Sequence, residues 1–367
     1  MSLLAFETTS FIFPAAYPRE FKRCTQSPED RLTIAVKRYT PLNNPYPGRN
    51  DVSFVVAHAN GFHKELYEPF LDELLARSEH LGFKIRNVWA MDAAHQGESG
   101  VLNEYTLGDQ YAWDDGARDI EVMIRQFDIR QPLIGIGHSL GGYHMVLASL
   151  RHPRLFVAII GMDPVIGPLT SLSESLAASS AKRRDIWTSR EDAAKYFSSR
   201  PFYQNWDPRV LKLHLKYGLR DLPTATYPDK KGVTLTTTKH QEVWTFKKPT
   251  PDGIFDPFEL RYVEDQHRYV AEYLSMIQCS TFFLVGGKSA VAPPKIDNSP
   301  KSELVVMKNA GHLIPIENPS ESADIIAPFC EKCLKRYIRE RDEDEKTPRD
   351  RYLDEKIMGA LKSESKL

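Results

Sequence analysis

Residues 132–153, PLIGIGHSLGGYHMVLASLRHP, restrict the fold more than any other part of the chain. An apolar run ends in Gly137-His138-Ser139-Leu140-Gly141 and passes at once into a segment with helical spacing. A strand that bends this sharply into a helix needs glycines where the two elements pass close together. The bend also holds its central residue in a strained backbone conformation. A serine there is lifted out of the packing, and the next amide, that of Leu140, opens the helix and points into the space above.

The flanking sequence repeats the same rhythm. DVSFVVAHA (51–59), IRNVWAMDA (85–93) and LFVAIIGMDP (155–164) read as strands, and PLIGIGHS (132–139) joins them. YEPFLDELLARSEHLG (67–82), DQYAWDDGARDIEVMIRQF (109–127) and LGGYHMVLASLRHP (140–153) read as helices. Continuous apolar strands separated by helices imply a parallel sheet covered on both faces. From about 165 to 275 the rhythm gives way to an irregular, mostly helical stretch. It is rich in aromatics: Trp187, Tyr196, Phe197, Phe202, Tyr203, Trp206, Trp244 and Phe246. Strands resume with STFFLVGG (280–287) and SELVVMKNAGH (302–312), and a helix opens at Asn318-Pro319-Ser320-Glu321 with Asn318 as its cap. The expected layout is a core over 1–165 and 276–340, a cap or lid inserted over 166–275, and a charged tail over 341–367. An insertion above the carboxyl edge of a parallel sheet lies where such sheets bind ligands, so its aromatics are expected to roof an apolar pocket.

Bulk properties narrow the function. The 48 basic and 49 acidic residues leave a net charge of −1, which argues against nucleic acid as a partner. No apolar run has the length of a transmembrane helix, and the first twenty residues, which carry Glu7 and lack a basic start, make a poor secretory signal. Cys24, Cys279, Cys330 and Cys333 do not form a disulfide framework. The CxxC at 330–333 has no second ligand pair, so ordinary helix residues are expected and neither a metal nor a cofactor is implied. The chain ends in Ser365-Lys366-Leu367, the tripeptide read by the peroxisomal import receptor, which places the protein in the peroxisomal matrix.

Serine hydroxyls need a base to become nucleophiles at neutral pH. His312, in NAGHLIPIENP after the last strand, is the candidate. His138 adjoins the serine but should point away, His95 should support a turn, and His152 should end a helix. His312 in turn needs a carboxylate to fix its tautomer. The loop where that acid commonly sits, LVGGKSAVAPPK at 284–295, holds Lys288, Ser289, Ala290 and Val291 and no acid. Asp163, at the end of the strand beside the one carrying Ser139, can reach the same imidazole because neighbouring strands lie about 4.8 Å apart. Asp297 is its rival. For the second oxyanion donor besides Leu140, the candidate is the amide of Asn60 in VVAHANGFHKE.

The pieces HANGFHKELYEP, MDAAHQGES, DDGARDI, GHSLGG, GMDPV, VGGKSAVAPP and GHLIPIENP resemble the cap-bearing α/β-hydrolases, and more narrowly the fungal peroxisomal ones. That group includes a yeast peroxisomal lipase, hydrolases of host-selective toxin pathways and an acyl-CoA hydrolase of mycophenolic acid biosynthesis. The resemblance implies the α/β-hydrolase fold and places the triad acid after the strand that follows the nucleophile, at Asp163. It also implies a serine hydrolase acting on a small acyl thioester, an acyl-CoA thioesterase, in fatty-acid housekeeping or in secondary metabolism. An ester hydrolase or lipase with the same triad and, in another class, a non-catalytic binding protein of the same fold stay open. The oligomeric state, a homodimer included, is not legible.

Overall fold

A computed structural model describes residues 5–167, 171–246, 257–296, 301–349 and 352–364. Six strands come first in the chain: β1 (Phe6–Pro14), β2 (Thr33–Pro41), β3 (Val52–Ala57), β4 (Ile85–Met91), β5 (Leu133–His138) and β6 (Ala158–Met162). The short β7 (Ile186–Trp187), β8 (Leu219–Asp221) and β9 (Val233–Leu235) follow, then β10 (Ser280–Gly286) and β11 (Ser302–Met307). The main sheet runs β1-β2-β4-β3-β5-β6-β10-β11. From β4 to β11 its neighbours are parallel, whereas β1 and β2 are added antiparallel at one edge.

Central strands lack polar alternation because both of their faces are covered. Every residue of β3, β5 and β6 is buried. Phe54 and Val56 of β3 pack toward the helices Glu68–Leu81 and Pro319–Asp344, while Val55 and Ala57 pack toward Trp113–Gln126 and Leu140–Arg151. A cavity opened here by a large-to-Ala change, at Ile160 for example, would cost about 2–5 kcal/mol.

The order of strands positions the chemistry. β6 lies directly beside β5 and pairs on its other edge with β10, so the carboxyl ends of β5, β6 and β10 present their loops side by side.

Several sequence expectations shift. The strand expected over 302–312 stops at Met307, leaving Asn309 to His312 in a loop. The helix expected from 109 begins at Trp113. Asn318 does precede the helix Pro319–Asp344, but its side chain makes no capping bond, because its backbone (φ −135°, ψ 60°) is not that of a standard cap. β1 and β2 were not anticipated; β1 buries only Phe6 and Phe13, too few positions to stand out from an exposed edge. The described residues of 171–276 are mostly helical as expected, yet they also hold a three-stranded antiparallel sheet, β7-β9-β8. Strands of two or three residues are too short to display a period of two. Cys330 and Cys333 are buried in the helix Pro319–Asp344. Asp297 and the terminal Ser365, Lys366 and Leu367 lie outside the described residues.

Candidate active site

Ser139 occupies the bend between β5 and the helix Leu140–Arg151 with φ 54° and ψ −112°. A non-glycine residue in this region is strained and persists only where its surroundings hold it. Here the Ser139 N–H donates to the Met162 carbonyl (3.0 Å), and its own carbonyl accepts from the amides of Gly142, Tyr143 and Val165. Two close approaches explain the flanking glycines. A Cβ on Gly137 would lie 2.2 Å from the Gly141 carbonyl oxygen, and one on Gly141 would lie 2.2 Å from that of Ala57.

The structure brings the three sequence candidates together. His312 Nδ1–H donates to Asp163 Oδ2 at 2.6 Å, and His312 Nε2 faces Ser139 Oγ at 2.9 Å. Asp163 follows β6 directly, with φ 44°, a left-handed conformation that Asp tolerates better than most residues. Its amide donates to the Leu284 carbonyl of β10 (2.7 Å). The carboxylate is 1 % exposed, and such burial requires partners. It finds them in the loop that has no acid: Gly286 N–H donates to Oδ1 (2.8 Å) and Ser289 Oγ–H donates to Oδ2 (2.5 Å). Ser289 Oγ in turn accepts the Val291 amide at 3.1 Å. In the sequence, Ser289 registered only as part of a missing acid.

Among the described residues, the N–H groups of Leu140 and Asn60 have no hydrogen-bond partner, and both residues line the cavity that Ser139 opens into. The amides beside Asn60 are committed: Ala59 N–H donates to Tyr67 Oη (2.9 Å) and Gly61 N–H to Gln96 Oε1 (2.8 Å). Asn60 is fixed by its side chain, which donates to the Glu242 carbonyl (3.1 Å) and accepts from Thr245 Oγ1 (2.7 Å) and from Gln96. Gln96 and Thr245 carried no sequence signal, because their role depends on contact between the core and the inserted segment.

His138 makes no bond to Ser139 Oγ and is fully buried. Burial pushes its pKa down to about 3, so the ring is neutral. Its Nδ1 accepts from Tyr67 Oη–H (2.9 Å) and its Nε2–H donates to the His312 carbonyl (2.9 Å). A single run of hydrogen bonds therefore links the Ala59 amide, Tyr67, His138 and the backbone of His312. His95 bonds through Nε2 to Thr245 Oγ1 (2.9 Å) and stacks on Tyr111. His152 ends the helix Leu140–Arg151, as expected.

The cavity measures about 250 Å³, and Phe62, Trp113, Val165, Leu176, Phe202 and Phe246 give it apolar walls. Of the inserted aromatics, Phe202, Tyr203 and Phe246 reach the cavity, whereas Trp187, Phe197 and Trp206 pack into the core.

Comparison with known proteins bears on the family and the fold. The model of the alpha/beta hydrolase family matches residues 54–325. The chain belongs to the alpha/beta hydrolase family. It is a hydrolase. Among relatives in this family, a type I acyl-CoA thioesterase, mpaH, of Penicillium roqueforti is 30% identical over 386 residues, covering 89% of this chain and 87% of its own. A second mpaH, of Penicillium brevicompactum, is 38% identical over 267 residues, covering 66% of this chain and 60% of its own. An abhydrolase domain-containing protein of Alternaria alternata, AFT2-1, is 30% identical and covers 56% of this chain and 85% of its own. Among solved structures, the peroxisomal alpha-beta-hydrolase Lpx1 of Saccharomyces cerevisiae superposes with a TM-score of 0.76 at 19% identity, covering 99% of both chains. In this member of the family, no helix among the described residues is long and apolar enough to cross a membrane.

Proposed function

We propose that this hydrolase is a serine enzyme that cleaves acyl-CoA thioesters in the peroxisomal matrix, with residues 166–275 as its cap. The observation that carries this reading is the relay in which Asp163 holds His312 Nδ1–H while Nε2 faces Ser139 Oγ. His312 takes the Ser139 proton as Oγ forms a bond to the thioester carbonyl carbon. The amides of Leu140 and Asn60 receive the oxyanion. The C–S bond then breaks, and CoA departs as a thiolate whose conjugate acid has a pKa of about 8.5, an easier leaving group than an alkoxide. The departing sulfur takes the proton from His312, which is a free base again. Water, deprotonated by His312, attacks the acyl-Ser139 ester and releases the acid and the serine. The thioesterase names of the Penicillium relatives support the choice of substrate, and the terminal Ser365-Lys366-Leu367 supports import through the peroxisomal receptor.

The test is thiol release from a panel of aliphatic and aromatic acyl-CoAs by wild type and Ser139→Ala, with p-nitrophenyl esters run beside them. The expected result is thioester turnover well above ester turnover, with kcat in the variant lower by about 10⁴-fold or more. Ester turnover alone would move the protein to the carboxylesterases and lipases. Absence of Ser139-dependent turnover on both would refute the serine mechanism for these substrates.

A further inference from the structure

The Asn60 amide belongs to the core, but its side chain is held from the inserted segment. Thr245 follows the helix Lys239–Trp244 and is 3 % exposed. Its hydroxyl donates to Asn60 Oδ1 at 2.7 Å. On that helix, the Glu242 carbonyl accepts from Asn60 Nδ2 at 3.1 Å. One short stretch of the insertion thus holds both ends of the Asn60 carboxamide, and Gln96 adds a donor to Oδ1 from the core. The backbone N–H of Asn60 takes no part in these bonds.

Thr245 is itself anchored to the core. His95 Nε2 lies 2.9 Å from its hydroxyl, and burial holds that imidazole neutral. The Thr245 carbonyl accepts from Trp113 Nε1–H at 2.8 Å. Gly97 N–H donates to Thr237 Oγ1 at 2.8 Å, just before Thr238 caps the helix Lys239–Trp244. A Cβ on Gly61 would fall 2.8 Å from the carboxyl carbon of Glu242, so the backbone after Asn60 passes flush against the same helix. The Trp113 and Thr237 bonds seat the segment on the core. The Thr245 hydroxyl and the Glu242 carbonyl pass that seating on to Asn60.

From these bonds we infer that Thr245 is a positioning residue for the hydrolysis: by fixing the Asn60 side chain, it sets the place of the Asn60 N–H that receives the oxyanion. A donor stabilises the developing charge fully only when it is already in place, because moving it during the reaction forfeits part of the gain. The insertion therefore does more than roof the pocket. It completes the catalytic floor, and the donor pair is whole only with residues 237–245 seated on Asn60. The inference rests on reading Asn60 as the second oxyanion donor and adds the residue that places it. It applies to thioesters and oxygen esters alike, since both develop an oxyanion at the attacked carbonyl.

The experiment measures kcat and KM of the full-length wild type, Thr245→Val, Thr245→Ser, Asn60→Ala and the double variant Thr245→Val/Asn60→Ala, on acyl-CoAs and on p-nitrophenyl esters. Melting curves establish that each variant folds. Thr245→Val is expected to lower kcat by about ten- to a hundredfold with KM little changed, short of the roughly 10²–10³-fold that loss of a whole oxyanion donor costs. Thr245→Ser, which keeps the hydroxyl, should recover most of that loss. Because Thr245 acts through Asn60, the double variant should be little slower than Asn60→Ala. A trifluoromethyl ketone, which adds Ser139 Oγ to form an oxyanion, reads the same effect without turnover: its affinity should fall by the factor lost in kcat. Unchanged kcat and ketone affinity in folded Thr245→Val, a loss confined to KM, or full additivity with Asn60→Ala would overturn the inference. If Asn60→Ala alone loses kcat, the oxyanion reading of Asn60 stands without Thr245. If neither single variant does, both fall. The expected pattern on oxygen esters alone would keep the inference and remove the thioester reading.

Discussion

The loops that follow β6 and β10 divide one task between them. The β6 loop carries the carboxylate, Asp163, in a left-handed conformation 1 % exposed. The last residue of β10 and the start of its loop, which holds no acid over 287–296, instead supply the Gly286 amide and the Ser289 hydroxyl that receive that carboxylate. Because β6 and β10 are hydrogen-bonded neighbours, both loops open onto the same imidazole. What differs between the two loops is position in the chain; what they share is the place in space where a carboxylate meets the His312 imidazole. The strand that gives it up can still hold it in place.

The largest expected effect comes from the loop that holds the charge. Asp163→Asn retains a residue that tolerates the left-handed backbone but removes the negative charge and disturbs the imidazole tautomer. We expect kcat to fall by about 10³–10⁴-fold with KM little changed, read by steady-state thiol release. An intermediate effect comes from moving the charge across. In the Asp163→Asn background, adding Ser289→Asp places a carboxylate where Ser289 Oγ stood 2.5 Å from Asp163 Oδ2. About tenfold of the lost kcat should return, and not all of it, because the Gly286 amide caps a carboxylate only at 163. No recovery would mean that the two positions do not share the imidazole. The smallest effect is that of Ser289→Ala alone. Removing one of three hydrogen bonds to the carboxylate should lower kcat by roughly tenfold or less. A loss as large as that of Asp163→Asn would make Ser289 an equal partner and break the asymmetry between the loops.

The chemical floor of the site was largely legible in the sequence, and its roof was not. G-x-S-x-G between an apolar strand and a helix marks Ser139 through local backbone demands alone, and the Asp at the end of the next strand is one lattice step away. His312 follows from its place after the last strand. The support of these residues depends on contacts across long stretches of chain, and no short pattern reports them. Tyr67 joins the Ala59 amide to His138, and His138 joins the elbow to the His312 carbonyl. Thr245 reaches Asn60 across 185 positions. The small sheet β7-β9-β8 escaped for the same reason, since a strand of two or three residues has no sequence period. β1 escaped because an edge strand with two buried positions resembles an exposed terminus.

The central claim, that Asp163 and not the later Asp297 activates Ser139 through His312, can be tested without knowing the substrate. The measurement is the second-order rate of Ser139 labelling by a fluorophosphonate probe in wild type, Asp163→Asn and Asp297→Asn. The account predicts labelling slowed by at least about a hundredfold in Asp163→Asn and unchanged in Asp297→Asn. Rapid labelling of Asp163→Asn together with loss in Asp297→Asn would contradict it and return the acid to the end of the β10 loop.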